Sequence, residues 1–165
     1  ALGRETVQAR FRNFLAELGI HSPAGSIGGG DHLGDRGTGP APGHRVPDVA
    51  MTSQHGPDSL HDQLTDPRMT VLLHIESDGG LQETASVEQA IPPRWRSAIR
   101  VLKVMSDAPH PTGEFLHAED ETLVERLGLP RGSFALIRPD GYLLLRGSAD
   151  SPKPLTDWCE RFGSS

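Results

Sequence analysis

Cysteine and histidine are the residues of this sequence that could carry out redox or metal chemistry. The 165 residues include a single cysteine, Cys159, and eight histidines. One cysteine excludes an intramolecular disulfide and any CxxC redox or zinc pair. Cys159 stands on the apolar stripe of a predicted helix at 151–162, beside Leu155, Trp158 and Phe162. We therefore expect it to be a buried packing residue rather than a reactive thiol.

The histidines lack the spacing of a metal site. No HxH, HExxH or mixed Cys/His pattern occurs in the sequence, although those patterns bring ligands to one metal ion. We assign no metal ligand and expect scattered, solvent-exposed histidines. Six that illustrate the scatter are His21, His32, His44, His61, His110 and His117.

The neighbouring sequence argues against a functional role for the other candidate motifs. The glycines of GSIGGG at 25–30 follow a predicted helix and run into more Gly and Pro, whereas a phosphate loop needs a strand before it and a helix after it. No GK[ST] or GxSxG motif occurs, so the sequence predicts neither a nucleotide site nor an exposed nucleophilic serine. The acidic residues Glu119–Glu121 stand at a predicted helix start, where negative charge is stabilised, which favours a capping role.

Charge and hydropathy exclude two kinds of partner. The net charge is −6, and Arg94 and Arg96 around Trp95 are too few for a nucleic-acid surface. No apolar run approaches the 18 residues of a membrane span, and no signal peptide is evident. These features predict a cytoplasmic protein without nucleic-acid or membrane partners. The chain begins with Ala rather than Met, so we expect it to be cut from a longer polypeptide.

Three regions must position any functional residue. Residues 1–20 contain a predicted helix whose apolar residues recur on one face. Residues 21–47 are rich in Gly and Pro and predict a linker or long surface loop. Residues 48–165 form the predicted domain. The apolar face of the first helix consists of Val7, Phe11, Phe14, Leu15 and Leu18.

The pattern within the domain indicates an α/β fold. A short edge strand at 48–52 and a helical turn at 59–64 precede strands at 69–75, 99–105, 133–138 and 142–146. Helices are predicted at 84–91, 119–127 and 151–162. A crossover makes the strands at 69–75 and 99–105 parallel, while Pro139-Asp140-Gly141 favours a tight antiparallel hairpin. These constraints predict a thioredoxin-like, mixed four-stranded sheet with helices on both faces. Residues 76–81, the place for reactive thiols in that fold, contain no cysteine.

Two stretches resemble a known family. The first is PGHRVPD at 42–48, followed by SLHDQL at 59–64 and the apolar run MTVLLHI at 69–75. The second is ALIRPDGY at 135–142. Together they resemble the C-terminal domain of FAD-dependent aromatic-ring hydroxylases, the flavin monooxygenases of the phenol hydroxylase and aromatic polyketide hydroxylase type. The resemblance covers about residues 40–147 and implies a thioredoxin-like domain without redox cysteines.

The resemblance implies a parent enzyme that uses FAD and NAD(P)H to hydroxylate an aromatic substrate. The flavin supplies that chemistry, and protein groups position it. This chain lacks the strand–GxGxxG–helix unit of an FAD domain, as well as the substrate domain. We therefore assign no catalytic, cofactor-binding or metal-binding residue, and whether the chain counts as an enzyme stays open. The implied role is packing or dimer support, as a fragment or stand-alone remnant, beside upstream FAD and substrate domains or a separate flavoprotein subunit.

Two other functions stay open on the sequence alone. The thioredoxin-like scaffold could be a non-catalytic module that binds a protein partner, with the exposed face of helix 2–19 as its distinguishing feature. A degenerate peroxiredoxin-like protein that has lost its cysteines is the third possibility. Fold does not choose among these functions, since one fold hosts many.

Overall fold

A computed structural model describes residues 39–76, 81–106 and 115–163 of the chain. The predicted helix at 2–19 and the GSIGGG stretch lie outside these residues. From residue 69 onward the elements follow the predicted order β-α-β-α-β-β-α, with a short 3-10 helix at Pro93–Trp95 and a short strand at Phe115–His117 added. The elements are β1 (Ala50–Ser53), β2 (Gly56–Ser59), α1 (Leu60–Gln63), β3 (Met69–His74), α2 (Leu81–Ala90), a 3-10 helix (Pro93–Trp95), β4 (Ile99–Met105), β5 (Phe115–His117), α3 (Asp120–Leu127), β6 (Ser133–Ile137), β7 (Leu143–Ser148) and α4 (Lys153–Gly163).

The four predicted strands are neighbours in the sheet, in the order β4-β3-β6-β7, with β7 at one edge. β3 and β4 are parallel, with Met69 opposite Ile99, and β3 is antiparallel to β6. β6 and β7 form the predicted antiparallel hairpin. All six residues of β3 are buried, because a strand covered on both faces reads as a continuous apolar run.

The predicted strand count is wrong. The sheet has seven strands in the order β2-β1-β5-β4-β3-β6-β7. The stretch predicted as an edge strand at 48–52 becomes β1, an interior strand between β2 and β5. β2 consists of only GPDS and β5 of only FLH, so neither is long enough to show an alternating pattern. Pro57 is tolerated in β2 because that strand lies at the sheet edge.

Helices cover both faces of this sheet, as predicted. On one face α2 and α4 bury Val87, Leu155 and Cys159 against the sheet. On the other, α1 and α3 bury Leu60 and Leu123. Each helix therefore buries apolar residues against one face of the sheet. None of the described helices is long and apolar enough to cross a membrane.

Local chemistry explains where the helices begin and end. The Ser59 side chain accepts a hydrogen bond from the Asp62 N–H and caps α1. Gly128, with φ of +62°, ends α3 in the left-handed conformation that glycine adopts easily. Pro154 lies in the first turn of α4, where its missing N–H removes no helical hydrogen bond.

The packed body begins before residue 48. Val46 is buried, and the Arg146 Nη2 donates to the carbonyl of Pro40 at 2.7 Å. Residues 39–47, which composition assigned to the linker, therefore pack against the domain. The remaining part of that predicted linker, 21–38, lies outside the described residues.

Candidate functional site

The two stretches that carry the family resemblance meet in space. Residues 43–46 lie along the hairpin end at 138–143, and we call these two segments together the clasp. Arg45 and Tyr142 form an isolated antiparallel bridge. The backbone hydrogen bonds run from Gly43 N–H to Leu143 O (2.8 Å), from Leu143 N–H to His44 O (2.9 Å) and from Val46 N–H to Gly141 O (2.8 Å).

A tight turn forms the hairpin side of the clasp. The Gly141 N–H donates to Arg138 O at 2.8 Å, and the Arg138 N–H donates to Tyr142 O at 2.9 Å. Gly141 has φ of +92°, the conformation that Pro139-Asp140-Gly141 predicted. A Cβ atom at this position would lie 3.3 Å from Arg45 Nε, so glycine also lets Arg45 approach the turn.

The hairpin side of the clasp contains a largely buried ion pair. Arg138 Nη2 and Asp140 Oδ2 form an ion pair at 2.5 Å, and their side chains are 16% and 3% exposed. The Arg138 guanidinium carbon also lies 5.6 Å from the centre of the Tyr142 ring, within cation–π range. A buried pair repays its desolvation only when its geometry is good. This arrangement fixes the turn.

A second polar cluster lies where β3 and β4 end. His74, the last residue of β3, is fully buried. Its Nδ1 lies 2.8 Å from Leu129 O, and its Nε2 lies 3.1 Å from Ser106 Oγ. The Ser106 hydroxyl in turn lies 3.3 Å from Asp120 Oδ1, which accepts a 2.9 Å hydrogen bond from Arg131 Nε.

This cluster contains Ser, His and Asp but not in the order of a hydrolytic triad. In a triad the acid holds the histidine nitrogen that faces away from the serine. Here that nitrogen, Nδ1, faces a backbone carbonyl, while Asp120 lies on the Nε2 side at 3.7 Å. Ser106 therefore links the histidine to the acid, and the arrangement does not activate it as a nucleophile.

The expectation of solvent-exposed histidines is wrong for His74. Its neighbours Leu129 and Ser106 are 55 and 32 residues away in sequence, so local spacing cannot reveal them. The available signal was a histidine inside the apolar run MTVLLHI. The expectation holds for His44, which is exposed. His61 is half-buried, with Nε2 3.0 Å from Val46 O, and no metal-binding group of His, Cys, Asp or Glu occurs among the described residues.

The start of α3 partly follows its prediction. Asp120 and Glu121 lie in the first turn, where the helix dipole favours negative charge. Glu119 is the N-cap residue, but its side chain makes no capping hydrogen bond, so the predicted capping role fails at that position. The Asp120 side chain instead accepts hydrogen bonds from Ser106 and Arg131. The Arg131 guanidinium lowers the pKa of the Asp120 carboxyl.

Cys159 is the buried packing residue that the sequence predicts. Its side chain is fully buried and free, and burial raises the pKa of its thiol to about 12. Its carbonyl accepts a 3.0 Å hydrogen bond from Trp95 Nε1. Trp95 and Trp158 meet edge to face with ring centres 5.3 Å apart. A thiol in this position is held protonated and away from solvent, so it is inert.

An open groove of about 460 Å³ lies between α2 and β4. Ile91 and Ile99 form part of its apolar floor, and Glu88 and Arg96 bring its charges. Among the described residues that line it there is no Ser, Cys or His. The groove contains none of the residues that the sequence analysis considered for metal or thiol chemistry.

Known proteins resemble this chain in sequence and in fold. It is 34% identical over 160 residues to 6-methylpretetramide 4-monooxygenase of Streptomyces rimosus, an alignment that covers 93% of this chain and 26% of that protein. The chain thus spans about a quarter of its curated relative. The crystal structure of the flavin-dependent monooxygenase PieE, in complex with FAD and substrate, superposes with a TM-score of 0.53 at 20% identity, covering 86% of this chain and 23% of PieE.

A redox protein shows the same fold. The thiol peroxidase of Chromobacterium violaceum superposes with a TM-score of 0.53 at 12% identity, covering 76% of this chain and 90% of the peroxidase. At such identity the likeness shows the fold alone and confirms the thioredoxin-like prediction. The family model described as "Aromatic-ring hydroxylase, C-terminal" matches residues 39–163. The chain therefore belongs to the family of aromatic-ring hydroxylase C-terminal domains.

Proposed function

We propose that this chain is the accessory C-terminal domain of an FAD-dependent, NAD(P)H-using monooxygenase that hydroxylates aromatic substrates. Its own role is packing or dimer support, without catalysis. The observation that carries the proposal is the family match over residues 39–163, combined with a relative of which the aligned residues cover only 26%. FAD and NAD(P)H would act in the upstream domains or in a separate flavoprotein subunit.

The clasp supports a packing role. Residues 43–46 precede the sheet in the chain, and the clasp ties them to the β6–β7 hairpin through three backbone hydrogen bonds. Chain arriving from upstream would thus be fixed to the rigid sheet rather than left to swing. Such anchorage reduces the conformational entropy that domain docking must overcome.

The buried thiol argues against the redox alternative. Cys159 is the single cysteine of the chain, and thiol chemistry requires an accessible thiolate. We expect the native chain to turn over no peroxide and to leave a thiol reagent unreacted until denaturant is added. Rapid labelling of the native protein, with Cys159→Ala as the control, would restore the peroxiredoxin-like reading. A Cys159-dependent peroxide turnover would do the same.

The proposal is tested by the native size of the polypeptide. An antibody raised against residues 48–165 should detect, in an extract of the source organism, a polypeptide about four times the 17.8 kDa of this chain. Flavin absorbance should follow that polypeptide through a sizing column. A 17.8 kDa polypeptide that elutes apart from all flavin would contradict the proposal, and one that elutes with a separate flavoprotein would identify that subunit as the partner.

A second measurement tests whether the chain itself binds FAD or oxidises NAD(P)H. The purified chain should bind no FAD and oxidise no NAD(P)H, because the proposal places both activities upstream. Sedimentation of the same sample tests dimer support, since a concentration-dependent dimer would favour it. Flavin binding by the isolated chain would contradict the accessory role. The cytoplasmic location stays a prediction.

A further inference from the structure

The protonation state of His74 is constrained by its neighbours. Its Nδ1 lies 2.8 Å from Leu129 O, and a carbonyl oxygen can only accept, so Nδ1 carries hydrogen in every charge state. In the neutral ring Nε2 is then an acceptor. The Ser106 hydroxyl, 3.1 Å away, can donate to it.

We propose that Ser106 relays the protonation state of buried His74 to the Asp120–Arg131 ion pair at the start of α3. When Nε2 gains a proton it becomes a donor to Ser106 Oγ, and the serine hydrogen must turn away from the ring. Asp120 Oδ1 lies 3.3 Å from that oxygen and can accept it. The proton is taken up from solvent, and no bond besides the new N–H is formed or broken.

The surroundings of His74 allow its ring to carry a positive charge, which favours a relay over a ring that always stays neutral. A buried charge is tolerated when it is paired and hydrogen-bonded. Protonated His74 would keep both ring hydrogens bonded, and Asp120 Oδ1 lies 3.7 Å from Nε2. The rotation of one hydroxyl thus lets the ring gain charge without leaving the core.

Among the described residues, charged and polar groups lie around His74 on several neighbouring elements. α3 and the turn after it contribute Asp120 and Arg131. Glu76, just after β3, has its carboxylate beside Gly132, whose N–H donates to the carbonyl of His74 at 2.8 Å. β4 and β6 contribute the neutral Ser106 and Ser133. The negative charge of Asp120, whose Oδ1 lies 3.7 Å from Nε2, favours the protonated ring.

Nuclear magnetic resonance of the full 165-residue chain tests the relay. The ring nitrogens of His74, the carboxyl carbon of Asp120 and the Nε of Arg131 are followed across pH. We expect Nδ1 to stay protonated while Nε2 titrates, and Asp120 and Arg131 to shift at the same midpoint. A ring protonated on Nε2 when neutral overturns the proposal. So does a ring that never titrates in the folded chain, or an Asp120 signal without an inflection at the His74 midpoint.

Serine variants separate the relay from direct charge effects. Ser106→Ala should abolish most of the Asp120 inflection at the His74 midpoint, whereas Ser106→Thr, which keeps a hydroxyl, should restore it. Ser133→Ala is the matched control. Ser133 of β6 lies opposite His74 of β3 in the sheet, but its hydroxyl donates to Pro130 O. An undiminished inflection in Ser106→Ala overturns the proposal. If Ser106→Ala does not fold, the tautomer of neutral His74 in the wild type still tests the proposal, because a neutral ring protonated on Nε2 overturns it.

Discussion

Gly141 shows at the scale of one residue how backbone conformation fixes the clasp. Its φ of +92° is a region that L side chains rarely adopt. Gly141→Val should therefore destabilise the chain by about 1–2 kcal/mol from backbone strain, with an added cost because Cβ would meet Arg45 Nε at 3.3 Å. Chemical denaturation measures the loss.

A second glycine provides the control for Gly141. Gly56 also has a positive φ, +115°, but a Cβ there would meet nothing within 4 Å. Gly56→Val should share the backbone strain and lack the contact with Arg45, so it should be the milder change. An unchanged denaturation midpoint for Gly141→Val would mean that the turn tolerates a side chain and does not need glycine.

Asp66 gives a pH dependence at the residue scale. The Arg68 side chain, bonded at 3.0 and 2.9 Å, lowers the pKa of the Asp66 carboxyl to about 2. Because the folded pKa lies below the unfolded one, the pair stabilises the fold above about pH 4. This stability is lost as pH falls toward 2. Asp66→Asn should cost about 0.5–1 kcal/mol near neutral pH, since the pair is partly exposed.

Denaturation at several pH values checks this prediction. The difference between wild type and Asp66→Asn should shrink between about pH 4 and pH 2. Asp150→Asn removes the same charge from an exposed turn and should show a much smaller difference throughout. A difference for Asp66→Asn that stays constant down to pH 2 would show that the ion pair does not carry it.

Some residue roles could be predicted from the sequence and some could not. The burial of Cys159 follows from its place on a helical stripe, and the positive φ of Gly141 follows from turn chemistry. His74 could not be predicted, because its partners come from α3 and β4 through tertiary packing. The ion pair between Arg138 and Asp140 was equally hidden, since the PDG pattern specifies a turn and not which side chains it buries.

At the scale of elements, the tight contact between β6 and β7 makes Gly147 critical. A Cβ on Gly147 would lie 2.6 and 2.8 Å from ring carbons of Phe134, which is fully buried. Gly147→Ala should therefore overpack this face and destabilise the chain by about 1–3 kcal/mol. Thermal unfolding measures the effect.

A double variant shows whether the Phe134 ring is the cause. Phe134→Leu removes atoms that the new methyl group would meet, so the combined variant should be more stable than the sum of the two single losses predicts. Neighbouring residues commonly show such coupling, of about 0.5–3 kcal/mol. Strictly additive losses would contradict the steric explanation.

The length of an element decides how much of it the sequence reveals. β3 and β4 have six and seven residues with apolar character, so their period and parallel pairing were predictable. β5 has three residues and meets β1 through one pair, Thr52 and His117. Its existence depends on distant strands rather than on its own composition, which explains why it was missed.

At the scale of the whole molecule, the clasp ties residues 43–46, which precede the predicted boundary at residue 48, to the β6–β7 hairpin. Composition assigned residues 39–47 to a linker, because Gly and Pro offer little to bury. Val46 nevertheless lies in the core, and residues 43–46 are held in place by backbone hydrogen bonds to the hairpin. The sequence pattern could not show this, because the stabilising partner lies at the other end of the domain.

Two shortened chains test this boundary. A chain that begins at Gly39 keeps the clasp, so we expect it to have the same melting temperature as the full chain. A chain that begins at Asp48 loses the burial of Val46 and three backbone hydrogen bonds. Burying a valine contributes about 1.5–3 kcal/mol and each hydrogen bond about 0.5–1.5 kcal/mol, so we expect a loss of at least about 3 kcal/mol in denaturation. Equal stability of the two chains would show that residues 39–47 only lie on the surface, and the clasp could not then anchor an upstream domain.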